Sequence, residues 1–157
     1  MKLSVRLVMP LAFLLATAWA APTVQYAELK KVNGTSQTAT LTLDYLDFFV
    51  LDDGNIKQVM KLGGYRTPDE ASDANPSGIY ISNTNPQLRL LKTNSKTKFY
   101  LVCLADSDPG QFRSVELKTF VASWQGDTPK GCWPFAQTVQ LELDGSRIVS
   151  VTEVYYP

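Results

Sequence analysis

The sequence predicts a β-rich α+β fold: a small, partly closed barrel or curled antiparallel sheet with one or two helices and one disulfide. Three observations point there. Apolar and polar residues alternate over short stretches, most clearly in Thr40-Leu41-Thr42-Leu43-Asp44-Tyr45, which is the period of a half-buried strand. Turn signals separate these stretches: Asn33-Gly34, Asp52-Asp53-Gly54, Asn83-Thr84-Asn85-Pro86 and Asp144-Gly145. Helical spacing is confined to residues 55–62 and 114–124. A chain of 157 residues with 45% apolar content has the composition of a single globular domain.

Taken in order, residues 24–32 form a first strand, with Val24, Tyr26 and Ala27 assigned to the interior. Asn33-Gly34 is a two-residue hairpin signal leading into a strand over 38–45, which continues through the apolar residues 46–51. Residues 55–62 present Ile56, Val59 and Met60 on one side of a short helix, and Gly63-Gly64 stops it. Residues 65–78 contain no aliphatic side chain larger than Ala and two prolines, so they read as a loop. Short strands follow at 79–81 and 88–91. The run Phe99-Tyr100-Leu101-Val102-Cys103-Leu104 has no polar break, as in a strand buried on both faces. Ser114 is placed to cap a helix running to Trp124, whose stripe is Leu117, Phe120, Val121 and Trp124. A loop over 126–135 carries Cys132 and Trp133. The chain closes with a hairpin in which residues 139–143 turn at Asp144-Gly145 and return over 148–155.

The first twenty residues have the pattern of an export signal. Lys2 and Arg6 precede an apolar stretch over 7–16, and Ala18-Trp19-Ala20 supplies small residues at a cleavage site. The stretch is far shorter than the roughly 20 residues that cross a bilayer. Residues 1–20 are therefore assigned to a signal peptide and 21–157 to one secreted or periplasmic domain without a membrane span. Removing Lys2 and Arg6 leaves that domain slightly acidic. In an oxidising compartment the two cysteines, Cys103 and Cys132, pair by default, against the alternative of two free thiols. The closed loop of about 30 residues is worth about 3.5 kcal/mol in the chain-entropy treatment.

Composition excludes several chemistries. With no His, neither a Ser-His-Asp nor a Cys-His nucleophile can form, nor a His-ligated zinc. Two cysteines cannot supply a Cys₄ site. Zero formal charge argues against non-specific nucleic-acid binding. The acidic stretch Asp69–Asn75 lacks the Asp-x-Asp-x-Asp-Gly alternation of a calcium loop and reads as solvated. Asp106–Gly110 reads as a turn. Asn33-Gly34-Thr35 fits a glycosylation triplet, and the turn alone accounts for it. No cofactor or metal is expected. Asp44, Asp47 and Glu153 are the carboxylates available for histidine-free hydrolysis. Tyr65, Trp133, Phe135 and Tyr155 fall outside the strand pattern and either cover the ends of the barrel or form a binding surface.

The run from Gly78 to Arg89 resembles a pattern of small secreted bacterial proteins of unknown function, Tyr-Ile-x-Asn-x-Asn-Pro-x-Leu-Arg. It is carried here by Tyr80, Ile81, Asn83, Asn85, Pro86, Leu88 and Arg89. Glu153, Tyr155 and Pro157 match the Glu-x-Tyr-x-Pro ending of that group, and Asp44-Tyr45 matches an early strand. The resemblance implies an extracytoplasmic domain and no particular activity. Ser77-Gly78-Ile79-Tyr80 is similar to the Ser-Gly-x-Tyr loop of periplasmic lysozyme inhibitors, which implies that Ser77 and Tyr80 enter an enzyme cleft. Apart from any family, Asn83 and Asn85 suit a tight turn because their side chains bond nearby backbone. Arg89 is expected to pair with Glu153 or Asp44.

The expected binding residues are therefore Ser77, Tyr80, Asn83, Asn85, Arg89, Trp133, Glu153 and Tyr155, with no catalytic residue assigned. The function expected first is non-catalytic binding of a protein or cell-envelope component. An inhibitor or immunity protein against a cell-wall-degrading enzyme comes second, and a carboxylate-dependent hydrolase third.

Overall fold

The computed structural model describes residues 21–34, 37–105 and 108–155. Its elements are β1 (Thr23–Gly34), β2 (Ala39–Val50), α1 (Ile56–Gly63), α2 (Pro68–Ala74), β3 (Ile79–Ser82), β4 (Leu88–Lys92), β5 (Lys98–Ala105), β6 (Asp108–Val115), α3 (Leu117–Trp124), β7 (Thr138–Asp144) and β8 (Arg147–Glu153). The strands form one sheet in the order β3-β2-β1-β7-β8-β5-β6, and β4 also pairs with β2. The long β2 serves two partners on one edge: Thr40–Asp44 pairs with β4, and Asp47–Val50 pairs with β3. All pairings are antiparallel except that of β5 with β8. The sheet curls without closing, as the alternation of short strands predicts.

The main core lies on one face of the sheet. Ala27, Leu29, Leu41, Leu43, Leu101, Val139, Leu141 and Val151 are all almost fully buried there. Helix α3 covers that face. Its Phe120 meets Phe99 at 5.1 Å and Phe135 edge-on at 5.2 Å. Trp124, the last residue of the predicted stripe, packs on the same cluster and donates its indole N–H to the Leu29 carbonyl. That carbonyl lies at a bulge where Lys30 is an extra residue opposite β2. A smaller cluster of Val59, Ala71 and Tyr80 sits under α1 and α2.

Four details correct the sequence expectations. The inward face of β1 is the one bearing Ala27 and Leu29, whereas Val24 is 57% exposed and Tyr26 lies on the opposite face. Residues 68–74 are a helix and not a loop. Thr67 caps it, accepting from the Glu70 amide at 3.1 Å, and the Glu70 carboxylate accepts from the Arg66 amide at 2.8 Å. Thr67-Pro68-Asp69-Glu70 is thus a capping-box sequence with proline at the first helical position, overlooked because only Ala71 is buried. Residues 108–115 form a strand, and α3 begins after Glu116, not Ser114; Ser114 pairs with Tyr100. Exposure of Gln111 to Ser114 removes the alternation by which a half-buried strand is recognised. Finally, Asn33 and Gly34 are the last paired rungs of β1, opposite Thr40 and Ala39, and not the turn itself. Thr35, Asp106 and Ser107 lie outside the described residues, as does the leader 1–20.

The terminal hairpin follows the sequence closely. Asp144 pairs with Arg147, both in register and by salt bridge, and Gly145 takes a φ of 60° between them. Because Phe120 joins two other rings at the centre of the core, Phe120→Ala should lower unfolding free energy by about 3–5 kcal/mol. Urea denaturation of the chain from Ala21 measures this.

Candidate functional site

The face of the sheet away from α3 has a different character. Register places Tyr26 opposite Gln140, Gln140 opposite Thr152, and Thr152 opposite Tyr100. These four form one row across β1, β7, β8 and β5. At one end Phe48 of β2 stacks on Tyr26, with ring centroids 4.1 Å apart and planes within 12°. At the other end Trp133 stacks on Tyr155 at 4.8 Å and 19°. Phe112 of β6 stands 60% exposed opposite Val102. Between them runs a groove of about 310 Å³ lined by Tyr26, Phe48, Val102, Phe112, Gln140 and Thr152, with Glu153 and Tyr155 at its β8 end.

The β8 end of the groove depends on how β5 loses its partner. β8 pairs with β5 only from Lys98 to Tyr100. Beyond that point the peptide groups of β5 need other partners. The Val102 amide donates to Glu153 Oε2 at 2.9 Å, and the Val102 carbonyl accepts from the Trp133 amide at 3.0 Å. The other oxygen of Glu153 accepts from the Ala136 amide at 3.1 Å. One carboxylate therefore ties the end of β8 to β5 and to the loop that bears Trp133. The disulfide between Cys103 and Cys132 fixes the same loop covalently to the next residue of β5. Glu153 is fully buried. Burial pushes its pKa above the usual carboxylate range, against the pull of the Val102 and Ala136 amides.

Three of the residues singled out in the sequence, Trp133, Glu153 and Tyr155, thus meet at one place, Glu153 as the brace and the two aromatics as surface. The other five lie elsewhere. Ser77 is exposed before β3. Tyr80 is only 9% exposed, packed in the smaller core near Phe49 and Tyr65, so it does not present a side chain to an enzyme cleft. Asn83 reaches across to Asp44 at 2.8 Å instead of bonding its own backbone, and neighbouring Thr84 donates to Asp47 at 2.6 Å. Asn85 is exposed, and its carbonyl accepts from the Gln87 amide. Arg89 makes neither expected ion pair. It donates to the Gln87 carbonyl and lies 4.2 Å over the Tyr45 ring, since Glu153 is enclosed and Asp44 is engaged by Asn83. The Asn-x-Asn-Pro segment therefore braces the connection between β3 and β4 against β2.

The carboxylates considered for hydrolysis are dispersed. Asp44 and Asp47 belong to β2, and β1 and β7 separate that strand from the Glu153 strand. Among the described residues no three His, Cys, Asp or Glu side chains cluster for a metal ion. Sequence reasoning missed Tyr26, Phe48, Phe112, Gln140 and Thr152. The alternation of β7 and β8 marks Gln140 and Thr152 as outward, but only the register puts them in one row.

Three outcomes test this corner. Glu153→Gln keeps one acceptor and turns a donor toward a buried N–H, so it should cost roughly 1–3 kcal/mol at neutral pH in urea denaturation. The wild-type pH dependence has a definite sign. A carboxyl whose pKa is raised in the fold stabilises most below its unfolded value, 4.5. That contribution is lost as pH rises through the folded pKa. The midpoint of the wild type, measured relative to that of Glu153→Gln, should therefore fall from acid to neutral pH. Separately, Cys103→Ser with Cys132→Ser should lower stability by about 3.5 kcal/mol, read in the same assay.

Comparison of the chain with family models, with curated proteins and with solved structures finds no match in any of the three.

Proposed function

We propose that this is a non-catalytic, exported binding domain for a protein or cell-envelope component, and that the groove on the outer sheet face is its contact surface. One observation carries the reading. Five aromatic side chains, Tyr26, Phe48, Phe112, Trp133 and Tyr155, converge on a face that no other element of the described chain covers. Phe112 and Tyr155 are exposed and the other three half-buried; rings held by strands and a disulfide-anchored loop are rigid, and rigid aromatic anchors lose little conformational entropy on binding.

Export is supported by the pattern of residues 1–20 and by the pairing of both cysteines in a disulfide, the form favoured in oxidising compartments. Among the described residues no helix is long and apolar enough to cross a membrane. An inhibitor of a cell-wall enzyme would use this same groove, since Tyr80 is committed to the interior.

The test is retention on isolated cell-envelope material and in a periplasmic extract, comparing wild type with Phe112→Ser/Tyr155→Ser. Both side chains are well exposed, so the double variant should fold normally by circular dichroism. Retention should fall by about tenfold, equivalent to 1.4 kcal/mol. Equal retention of the two proteins would remove the groove from the function.

A further inference from the structure

Resting on that reading, we infer that the groove takes a neutral saccharide chain, its sugar rings packing on the aromatic faces. Two properties of the lining select this ligand class. The first is charge. Among the described residues lining it, the groove presents no exposed charged side chain; the one carboxylate among them, Glu153, is fully buried and spends both oxygens on the Val102 and Ala136 amides. An ionic ligand would lose hydration there without gaining a partner.

The second property is the polar equipment between the rings. The Gln140 amide and the Thr152, Tyr26 and Tyr155 hydroxyls of the lining, and the indole N–H of Trp133 stacked behind Tyr155, make no side-chain hydrogen bond to the described residues. All but the indole can both donate and accept. Sugar hydroxyls also do both, and a pyranose ring offers an apolar C–H face to an aromatic ring. A proline-rich peptide would stack on the same rings, but its proline residues offer acceptors alone, leaving the Gln140 carbonyl without a donor from them. The groove volume, about 310 Å³, lies at the lower end of small-ligand sites, which suits a short stretch of a longer polymer.

The experiment is a ¹H–¹⁵N NMR titration of the chain from Ala21 with a β-1,4-linked N-acetylglucosamine tetramer and a β-1,4-linked glucose tetramer. A proline-rich decapeptide forms a third arm. Saturable shifts at the Trp133 indole and the Gln140 side-chain amide with a tetrasaccharide are expected. Phe112→Ala and Tyr155→Ala should each weaken that binding by about threefold to tenfold while leaving the remaining spectrum in place. Thr152→Val, which keeps the shape and removes the hydroxyl, should also weaken it. The inference falls if neither sugar produces saturable shifts in the groove, or if the decapeptide saturates it and the sugars do not. In either case envelope retention that still depends on Phe112 and Tyr155 keeps the groove as a binding surface, whereas retention indifferent to them overturns the broader reading.

Discussion

The carboxylate of Glu153 replaces a missing strand. A sheet whose last parallel pairing stops at Tyr100 and Thr152 leaves the peptide groups of Val102 facing a gap. Buried peptide groups without partners each destabilise a fold by about 1–3 kcal/mol. Here the amide of Val102 is met by a side chain and its carbonyl by the backbone of the Trp133 loop. That arrangement seats the Trp133 loop against β5 next to its covalent link at Cys132, where Trp133 stacks on Tyr155. The disulfide at the adjacent residue acts in the same direction by a different mechanism: it restricts the unfolded chain, while Glu153 satisfies the folded one.

This corner also joins stability to the surface proposed for binding. The Trp133–Tyr155 stack is built on two segments that are brought together only because Glu153 and the cysteines hold them. The Tyr26–Phe48 stack at the opposite end follows from sheet register alone, with β1 and β2 adjacent through most of their length. The groove is thus rigid at one end by strand pairing and at the other by a buried acid and a covalent link. Its polar row, Gln140 and Thr152, comes from the outward positions of the terminal hairpin, where the two residues are paired in register.

Much of the fold was legible. The alternation of 38–45, the unbroken apolar run of 99–104, the stripe of α3 and the terminal hairpin all occur where the local patterns place them. The elements that escaped did so for physical reasons. Helix α2 buries little more than Ala71, so hydrophobicity is silent and only its capping sequence speaks. Strand β6 is an edge strand with exposed side chains from Gln111 to Ser114, so it lacks an inward row. The phase of β1 is hidden because Val24 and Tyr26 are large side chains at alternate positions; Ala27 and Leu29 face the core instead, and the bulge at Lys30 shifts the phase so that Val32 is the next buried residue.

The sequence by itself determined the β-rich class, the pairing of the only two cysteines, and the absence of histidine chemistry. These depend on composition and on contacts between neighbours in the chain. Tertiary structure decided which aromatics share a face, that Tyr80 is core and Trp133 is surface, and that Glu153 is an interior brace and not a partner for Arg89. Each of those depends on register and on strand order, which bring together residues as far apart as Tyr26 and Tyr155. Nothing local in the chain encodes that distance; the competition among all possible pairings to bury Leu29, Leu41, Phe99 and Phe120 together does.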